Sequence, residues 1–394
     1  MNVDKNDQYK ILIIPQSGFS IDGEHLLTVK NRGIFYTELA GKFKYSTILY
    51  TAALKRSPDD TYRISDYNLN LVCLKDHRNK NLIRIIITYF ISITKVLKLV
   101  KLHDIIVVCI PNKSGSLTAF LGYIFNKTVI VYITGNWPKI SLITYKTKKK
   151  SNICVRYLKY CLNTVFEFIT TRSATFVFVA GRELLYKLTK FNNCIEESIP
   201  MIEFDKKDMF FREDTFKSKT INILYVGYLT ELKGIKYLLE AFEKIKKYYP
   251  DSVLNIVGDG ELYSDLKRYS NNKTIFHGHI NNKDKLSELY KLADIFVCPS
   301  LSEGFPRVLY EAMIHSVPII TTNVGGIKFY FEDQTDALFV QPKSEEQIFN
   351  KFCLLANDKI LRQKLILNSQ KKINHIFRSR ASEQFYQKII ECTA

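Results

Sequence analysis

At 394 residues the chain is too long for one ordinary core and fits two domains of about 150–200 residues each. Apolar residues make up 46% and charged residues 24%, with Gly 16 and Pro 10, which excludes a disordered, collagen-like or low-complexity chain. The formal charge of +18 is uneven: residues 1–200 hold 29 basic and 14 acidic side chains, residues 201–394 hold 28 and 25. An anionic partner is therefore expected to face the first half, unless a Lys/Asn/Ile-rich composition accounts for the excess.

Cys73, Cys109, Cys154, Cys161, Cys194, Cys298, Cys353 and Cys392 are scattered, with no C-x-x-C pair and no nearby His pair. This spacing speaks against a zinc site and against a disulfide framework, and for a reducing, cytoplasmic compartment. The polar start MNVDKNDQYK runs straight into an apolar strand, so no signal peptide is expected. The apolar stretch 82–100 contains Arg84, Lys95 and Lys98, each costly in a bilayer, so a spanning helix is not expected there.

In chain order, β-branched runs predict strands over 9–15, 46–51, 69–74, 104–110, 128–133 and 175–180. Helical patterns fall between them at 32–43, 79–102, 115–125, 151–171 and 182–189. The segment 198–219 has no clean periodicity and separates two rhythms. The second rhythm predicts strands over 220–226, 252–257, 274–277, 295–299, 318–322 and 337–340, with helices at 234–248, 261–269, 283–292, 306–315 and 345–357. After Val340 the chain reads as helical to its end. Strands alternating with helices specify an α/β fold of two tandem doubly wound, Rossmann-like domains with C-terminal helices, whose strand ends are expected to face a shared cleft. The expected boundaries are 1–200 for a first domain, 201–219 for a linker and 220–375 for a second domain. Residues 376–394 are expected to form a helix that packs back on the first domain.

The most informative stretch is P-S-L-S-E-G-F-P-R-V-L-Y-E-A-M over 299–313. A strand ends, a polar turn follows, and Pro306 suits a helix start, so residues 304–308 present unpaired N–H groups that favour an anion. Glu303 stands before that helix and Glu311 within it; an ionised carboxylate, acceptor-only, is suited to a pair of sugar hydroxyls. Spacing leaves a second reading open, in which Glu303 is a helix-dipole partner and Glu311 pairs with Arg307 at i,i+4. A second stretch, over 223–242, runs from a strand through a loop opened by Gly227 to a helix with Lys233 at its mouth, a mobile cation suited to phosphate. A third, I-V-G-D-G-E over 256–261, places Gly258 at a strand end, where a glycine admits a ligand or simply makes a tight turn.

Taken in order, V-G-Y-L-x-x-x-K-G, I-V-G-D-G-E, F-H-G-H-I, E-G-F-P-R-V-L-Y-E-A-M and P-I-I-T-T-N-V-G-G resemble family 4 of the retaining glycosyltransferases, of GT-B fold, over residues 220–345. The resemblance implies sugar transfer from a nucleotide-diphosphate donor with the anomeric configuration retained, with no metal and no cofactor. By that resemblance Glu303 holds donor-sugar hydroxyls, Glu311 the ribose diol, and Lys233 neutralises the diphosphate. The backbone at Gly304, Phe305, Val308 and Leu309 would cradle phosphate or sugar, and Gly227, Gly258 and Ile280 would lie by the nucleotide. Two positions depart from the family pattern. Tyr228 stands where an Arg usually follows the glycine, and the usual first-domain His-Gly is Thr134-Gly135, followed by Asn136. Thr134 or Asn136 is left to bond the sugar. In the first domain Gly33, closing a long loop over 16–32, is the candidate for a phosphate- and acceptor-side contact, against the reading of that segment as a plain solvent loop.

The acceptor side is read from charge. Residues 78–101 hold six basic and no acidic side chains, and residues 139–172 hold eight basic and one acid, Glu167. Such helices suit peripheral contact with an anionic membrane at the cytoplasmic face, or are core helices with solvated charges. No nucleic-acid-binding motif accompanies the charge, so nucleic acid is not an expected partner. The function expected is transfer of a sugar to a glycan or lipid-linked acceptor in cell-surface polysaccharide, lipopolysaccharide or glycolipid synthesis. The competing expectation is a non-catalytic GT-B-like protein that binds nucleotide or glycan at a membrane surface.

Overall fold

Runs of Ile and Val form central parallel strands only when helices cover both faces of the sheet, and the first half of the chain uses them in that way. The computed structural model describes residues 6–16, 19–52, 60–74, 82–135, 137–138, 153–199, 206–269, 272–303, 306–378 and 380–393. β7 (Ile105–Ile110) is buried at every position and pairs in parallel with β1 (Asn6–Ile14) and β8 (Thr128–Ile133). β9 (Phe176–Val179) and β10 (Ile195–Glu197) extend the sheet beyond β8; β4 (Phe43–Thr51) and β6 (Asn70–Leu74) extend it beyond β1. The order β10-β9-β8-β7-β1-β4-β6 is that of a doubly wound sheet whose winding reverses between β1 and β7. Alternate residues of β1 serve opposite faces: Ile11 and Ile13 join a core with Phe35, Phe178 and Phe385, while Leu12 and Ile14 join Val96, Val100 and Ala119.

Where a long loop over 16–32 was expected, the structure has a hairpin of β2 (Ser20–Asp22) and β3 (His25–Val29), paired antiparallel with β5 (Asp60–Arg63). Asp22 pairs with His25, so the two-residue turn is Gly23-Glu24, with Gly23 in its first position at φ +59°. Gly33, inside the helix expected over 32–43, lies in the helix Lys30–Gly41, where a Cβ would stand 2.2 Å from the Tyr62 ring. Its hydrogen lets this helix seat on β5.

The molecule divides into two compact units, 1–201 with 379–394, and 202–378. The C-terminal helix Ala381–Thr393 belongs to the first. Phe385 is fully buried there, 3.9 Å from the Phe178 ring centroid and 4.9 Å from that of Phe35, and Gln384 accepts from the Ile199 amide.

In the second unit β11 (Ile221–Val226), β12 (Ser252–Val257), β13 (Thr274–Gly278), β14 (Ile295–Cys298), β15 (Ile319–Thr322) and β16 (Leu338–Val340) pair in parallel in the order β13-β12-β11-β14-β15-β16. Winding reverses between β11 and β14. The stretch 206–219 is fastened to this unit. Arg362 grips Asp214 with two bonds of 2.7 and 3.0 Å, and Asp294 accepts the amides of Phe216 and Asn222. Arg212 donates to the carbonyls of Lys291 and Ala293, capping the helix Lys283–Leu292. Among the described residues no helix is long and apolar enough to cross a membrane.

Phe385→Ala removes a buried ring from the first unit and is expected to cost about 3–5 kcal/mol, read as a lower Tm. A Tm shift within experimental scatter would mean that this helix is not part of the core.

Candidate functional site

In a sheet of this order, ligands bind beyond the carboxyl ends of the strands at the point where winding reverses. In the second unit that point lies between β11 and β14, and the loops leaving these two strands touch. The Leu301 amide donates to the Leu232 carbonyl at 2.8 Å, and a Cβ on Gly234 (φ +64°) would stand 2.0 Å from the Pro299 carbonyl oxygen. The loop after β15 closes from the other side: the Gly326 amide donates to the Glu303 carbonyl at 2.9 Å, and a Cβ on Gly325 would come within 1.9 Å of that oxygen. No side chain fits at either glycine, so the loops meet backbone to backbone.

This contact brings Lys233 to Glu303. Lys233 Nζ donates to Glu303 Oε1 at 2.5 Å, and the carboxylate side chain is only 8% exposed. Ser300, fully buried, donates its hydroxyl to the same oxygen at 2.8 Å, and its carbonyl accepts from Thr322 Oγ1. Burial first and the Glu303 charge second push the Cys298 thiol up to about 11, which keeps it a neutral neighbour of the pair.

Glu311 is held from the protein side. Tyr290, wholly buried, donates its hydroxyl to Glu311 Oε2 at 3.0 Å; burial and then the Glu311 charge raise this phenol well above its ordinary pKa. The Tyr290 ring stacks on His315 at 5.0 Å and 13°. His315 Nδ1 lies 2.7 Å from the Glu311 carbonyl oxygen, an acceptor, so Nδ1 carries the proton and Nε2 accepts from Ser287 Oγ at 2.7 Å. Burial lowers the imidazole pKa to about 4, so the ring is neutral.

The other expected residues fall as follows. Gly227 and Gly258 (φ +137°) are in contact: a Cβ on Gly258 would lie 2.0 Å from the Gly227 carbonyl oxygen. Tyr228 is 62% exposed, and its carbonyl accepts from Tyr225 Oη. Ile280 follows β13 and is half-buried. Val308 is half-buried in the first turn of the helix Arg307–Ile314. Leu309 is fully buried with its amide donated to the Pro306 carbonyl, so neither its side chain nor its N–H is turned outward. Gly304, Phe305 and Asn136 lie outside the described residues. Thr134 sits in the first unit, where its hydroxyl donates to the Ile110 carbonyl at 3.1 Å. Ser300 and Gly325 lay inside motifs already singled out, but Tyr290 carried no signal in the sequence. Among the described residues no group of three or more His, Cys, Asp or Glu is placed to hold a metal.

Residues 206–372 match the family model described as Glycosyl transferases group 1. A glycosyltransferase of Methanocaldococcus jannaschii is 28% identical over 225 residues, covering 52% of this chain and 57% of that protein. The UDP-Gal:alpha-D-GlcNAc-diphosphoundecaprenol alpha-1,3-galactosyltransferase of Escherichia coli is 29% identical over 172 residues, 42% of this chain and 44% of that one. The capsular polysaccharide biosynthesis glycosyltransferase CapM of Staphylococcus aureus is 27% identical over 244 residues, 57% of this chain and 63% of that one. The chain spans about half the length of the curated relatives it matches. Among solved structures, Anabaena HepE in complex with UDP superimposes with TM-score 0.68 at 15% identity over 97% of this chain and 99% of that one. The lipopolysaccharide biosynthesis glycosyltransferase WaaG does so with TM-score 0.63 at 16% identity over 96% and 99%. These likenesses show the fold, two Rossmann-like domains of GT-B type. The family model and the motifs point to the same stretch of chain.

A neutral, buried His315 ties stability to pH. An unfolded imidazole takes up its proton near pH 6.5 and the folded one at about 4, so between these values the unfolded chain binds more protons. The stability is fully present above pH ~6.5 and falls by roughly 3 kcal/mol as pH drops to 4. In a Tm–pH series His315→Gln is expected to lose about one proton's worth of slope in that window; an unchanged slope would assign the effect elsewhere.

Proposed function

We propose, taking the second unit as a group 1 glycosyl transferase module, that the chain moves a sugar from a nucleotide-diphosphate donor to a hydroxyl of a glycan or lipid-linked acceptor. The anomeric configuration is retained and no metal takes part. The observation that carries this reading is the Lys233–Glu303 pair, 2.5 Å apart where winding reverses in the second sheet.

Charge grows on the leaving diphosphate as the glycosidic bond breaks. Lys233, held at the strand ends before any ligand arrives, is a cation placed to meet that charge, and it stabilises the transition state more than the ground state. Glu303 accepts from hydroxyls of the donor sugar, and Glu311, fixed by Tyr290, accepts from the ribose diol. Gly227, Gly258 and Ile280 lie by the base. Thr134 serves the acceptor side. The relatives named for a UDP-sugar and a diphosphoundecaprenol acceptor, and for capsular polysaccharide biosynthesis, support a uridine donor and a cell-surface glycan built at the cytoplasmic face of a membrane. A second reading, nucleotide binding without turnover, is favoured by Tyr228, which supplies no second cation.

Donor-dependent release of nucleoside diphosphate separates the two. With a panel of UDP-, GDP- and ADP-sugars and a lipid-linked glycan extract as acceptor, the intact protein is expected to release the nucleoside diphosphate from one of them as the sugar passes to an acceptor hydroxyl. Lys233→Ala and Glu303→Ala are expected each to lower kcat roughly 100-fold or more, assayed well below the reduced Tm that an unpaired, buried partner brings. Binding of a nucleotide sugar, seen as a raised Tm, with no release would make the protein a binder. Full turnover in both variants would overturn the site.

A further inference from the structure

The helix Ile153–Arg172 of the first unit is inside out. A surface helix ordinarily turns its apolar stripe to the core. Here Asn163, Glu167, Thr170 and Thr171 are the buried side chains, Glu167 paired with Lys187, while the apolar stripe faces outward, with Tyr157 62%, Leu158 60%, Leu162 47% and Val165 53% exposed. The helix Lys113–Ile124 packs against it and continues the apolar surface with Phe120 and Tyr123, 42% and 61% exposed. This helix also packs against Leu82–Leu102, on which Lys95, Lys98 and Lys101 are exposed, Lys95 donating to the Cys73 carbonyl at 2.7 Å and Lys101 lying over the Phe125 ring. Leu82–Leu102 and Lys113–Ile124 cover one face of the first sheet, Ile153–Arg172 packs against the second of them, and the C-terminal helix lies on the other face.

Charge decides what covers such a surface. The three helices carry eight basic residues and one acid, and that acid, Glu167, is 1% exposed. A second copy docked through this face would set cations against cations. A layer of anionic headgroups over acyl chains matches both properties, with aromatic and aliphatic side chains entering the interface and lysines at headgroup level. We infer that the outer surface of this three-helix layer docks the protein on an anionic lipid bilayer without crossing it. The inference gives a face to the membrane contact expected of a lipid-linked acceptor, and it stands independently of the donor site.

The test is flotation of the intact protein with vesicles of phosphatidylcholine alone and with 30% phosphatidylglycerol, a proportion set at roughly that of an anionic leaflet. Binding is expected to the anionic vesicles, to fall with added salt, and to be weak on phosphatidylcholine. Tyr157→Ser/Leu158→Ser/Leu162→Ser and Lys95→Glu/Lys98→Glu/Lys101→Glu are each expected to lower partitioning roughly tenfold or more, whereas Tyr248→Ser on the second unit leaves it unchanged. Tm and diphosphate release serve as fold controls, since none of these positions is in the donor site. No binding to anionic vesicles, or wild-type binding by both triple variants, overturns the inference. So does a lipid-free dimer that the Ser variant dissociates, which would make the occupant a second copy. Loss of release with vesicle binding intact would instead strike the reading of the donor site.

Discussion

Backbone contact among the loops at the carboxyl end of the second sheet is the constraint on which the candidate site depends. The carbonyl oxygens of Pro299 and Glu303 lie where Cβ atoms of Gly234 and Gly325 would be, so a methyl at either position must push two strands' loops apart. Lys233 and Glu303, 70 residues apart in the chain, meet only because the loops between them and the sheet have no slack. The pair is costly to desolvate. Its cost is offset by the Ser300 hydroxyl on the same carboxylate oxygen and by the anchoring of Ser300 through Thr322.

A comparable support stands behind Glu311. The phenol that fixes it is itself fixed, stacked on an imidazole that is bonded at both nitrogens and buried too deeply to take a proton at neutral pH. Both carboxylates are thus held by side chains of their own unit before any ligand arrives. Preorganisation of this kind lowers the reorganisation needed when charge develops on a ligand.

The sheet rhythm was legible because buried parallel strands are written as runs rich in β-branched residues; I-I-V-V-C-I at β7 and T-V-I-V-Y-I at β8 admit little else. The hairpin at 20–29 was not, since three- and five-residue strands with a half-exposed face carry almost no periodicity, and its Gly23-Glu24 turn was read as loop. Gly33 was noticed as the residue that closes that loop, whereas its fit against the Tyr62 ring depends on a strand 27 residues further along the chain, which no local motif records. Lys233 and Glu303 were visible as members of separate motifs, but their pairing is a product of strand order. Tyr290 was invisible, because a tyrosine on an amphipathic helix reads as core, and it is core; only the position of its hydroxyl makes it more. The helix over 153–172 was legible as basic and aromatic, while the direction its apolar stripe faces is decided by Glu167 and Lys187 pairing inward.

The helix Ala381–Thr393 is written after the whole of the second unit and belongs to the first. Phe35, Tyr132 and Phe178 wait for Phe385, so a ribosome delivers the whole of the second unit before it delivers the ring that closes the first core. During synthesis the earlier half is therefore the later one to finish, with an open aromatic pocket in the meantime, and the nascent chain is exposed to chaperones and proteases for as long as elongation over some 180 codons takes.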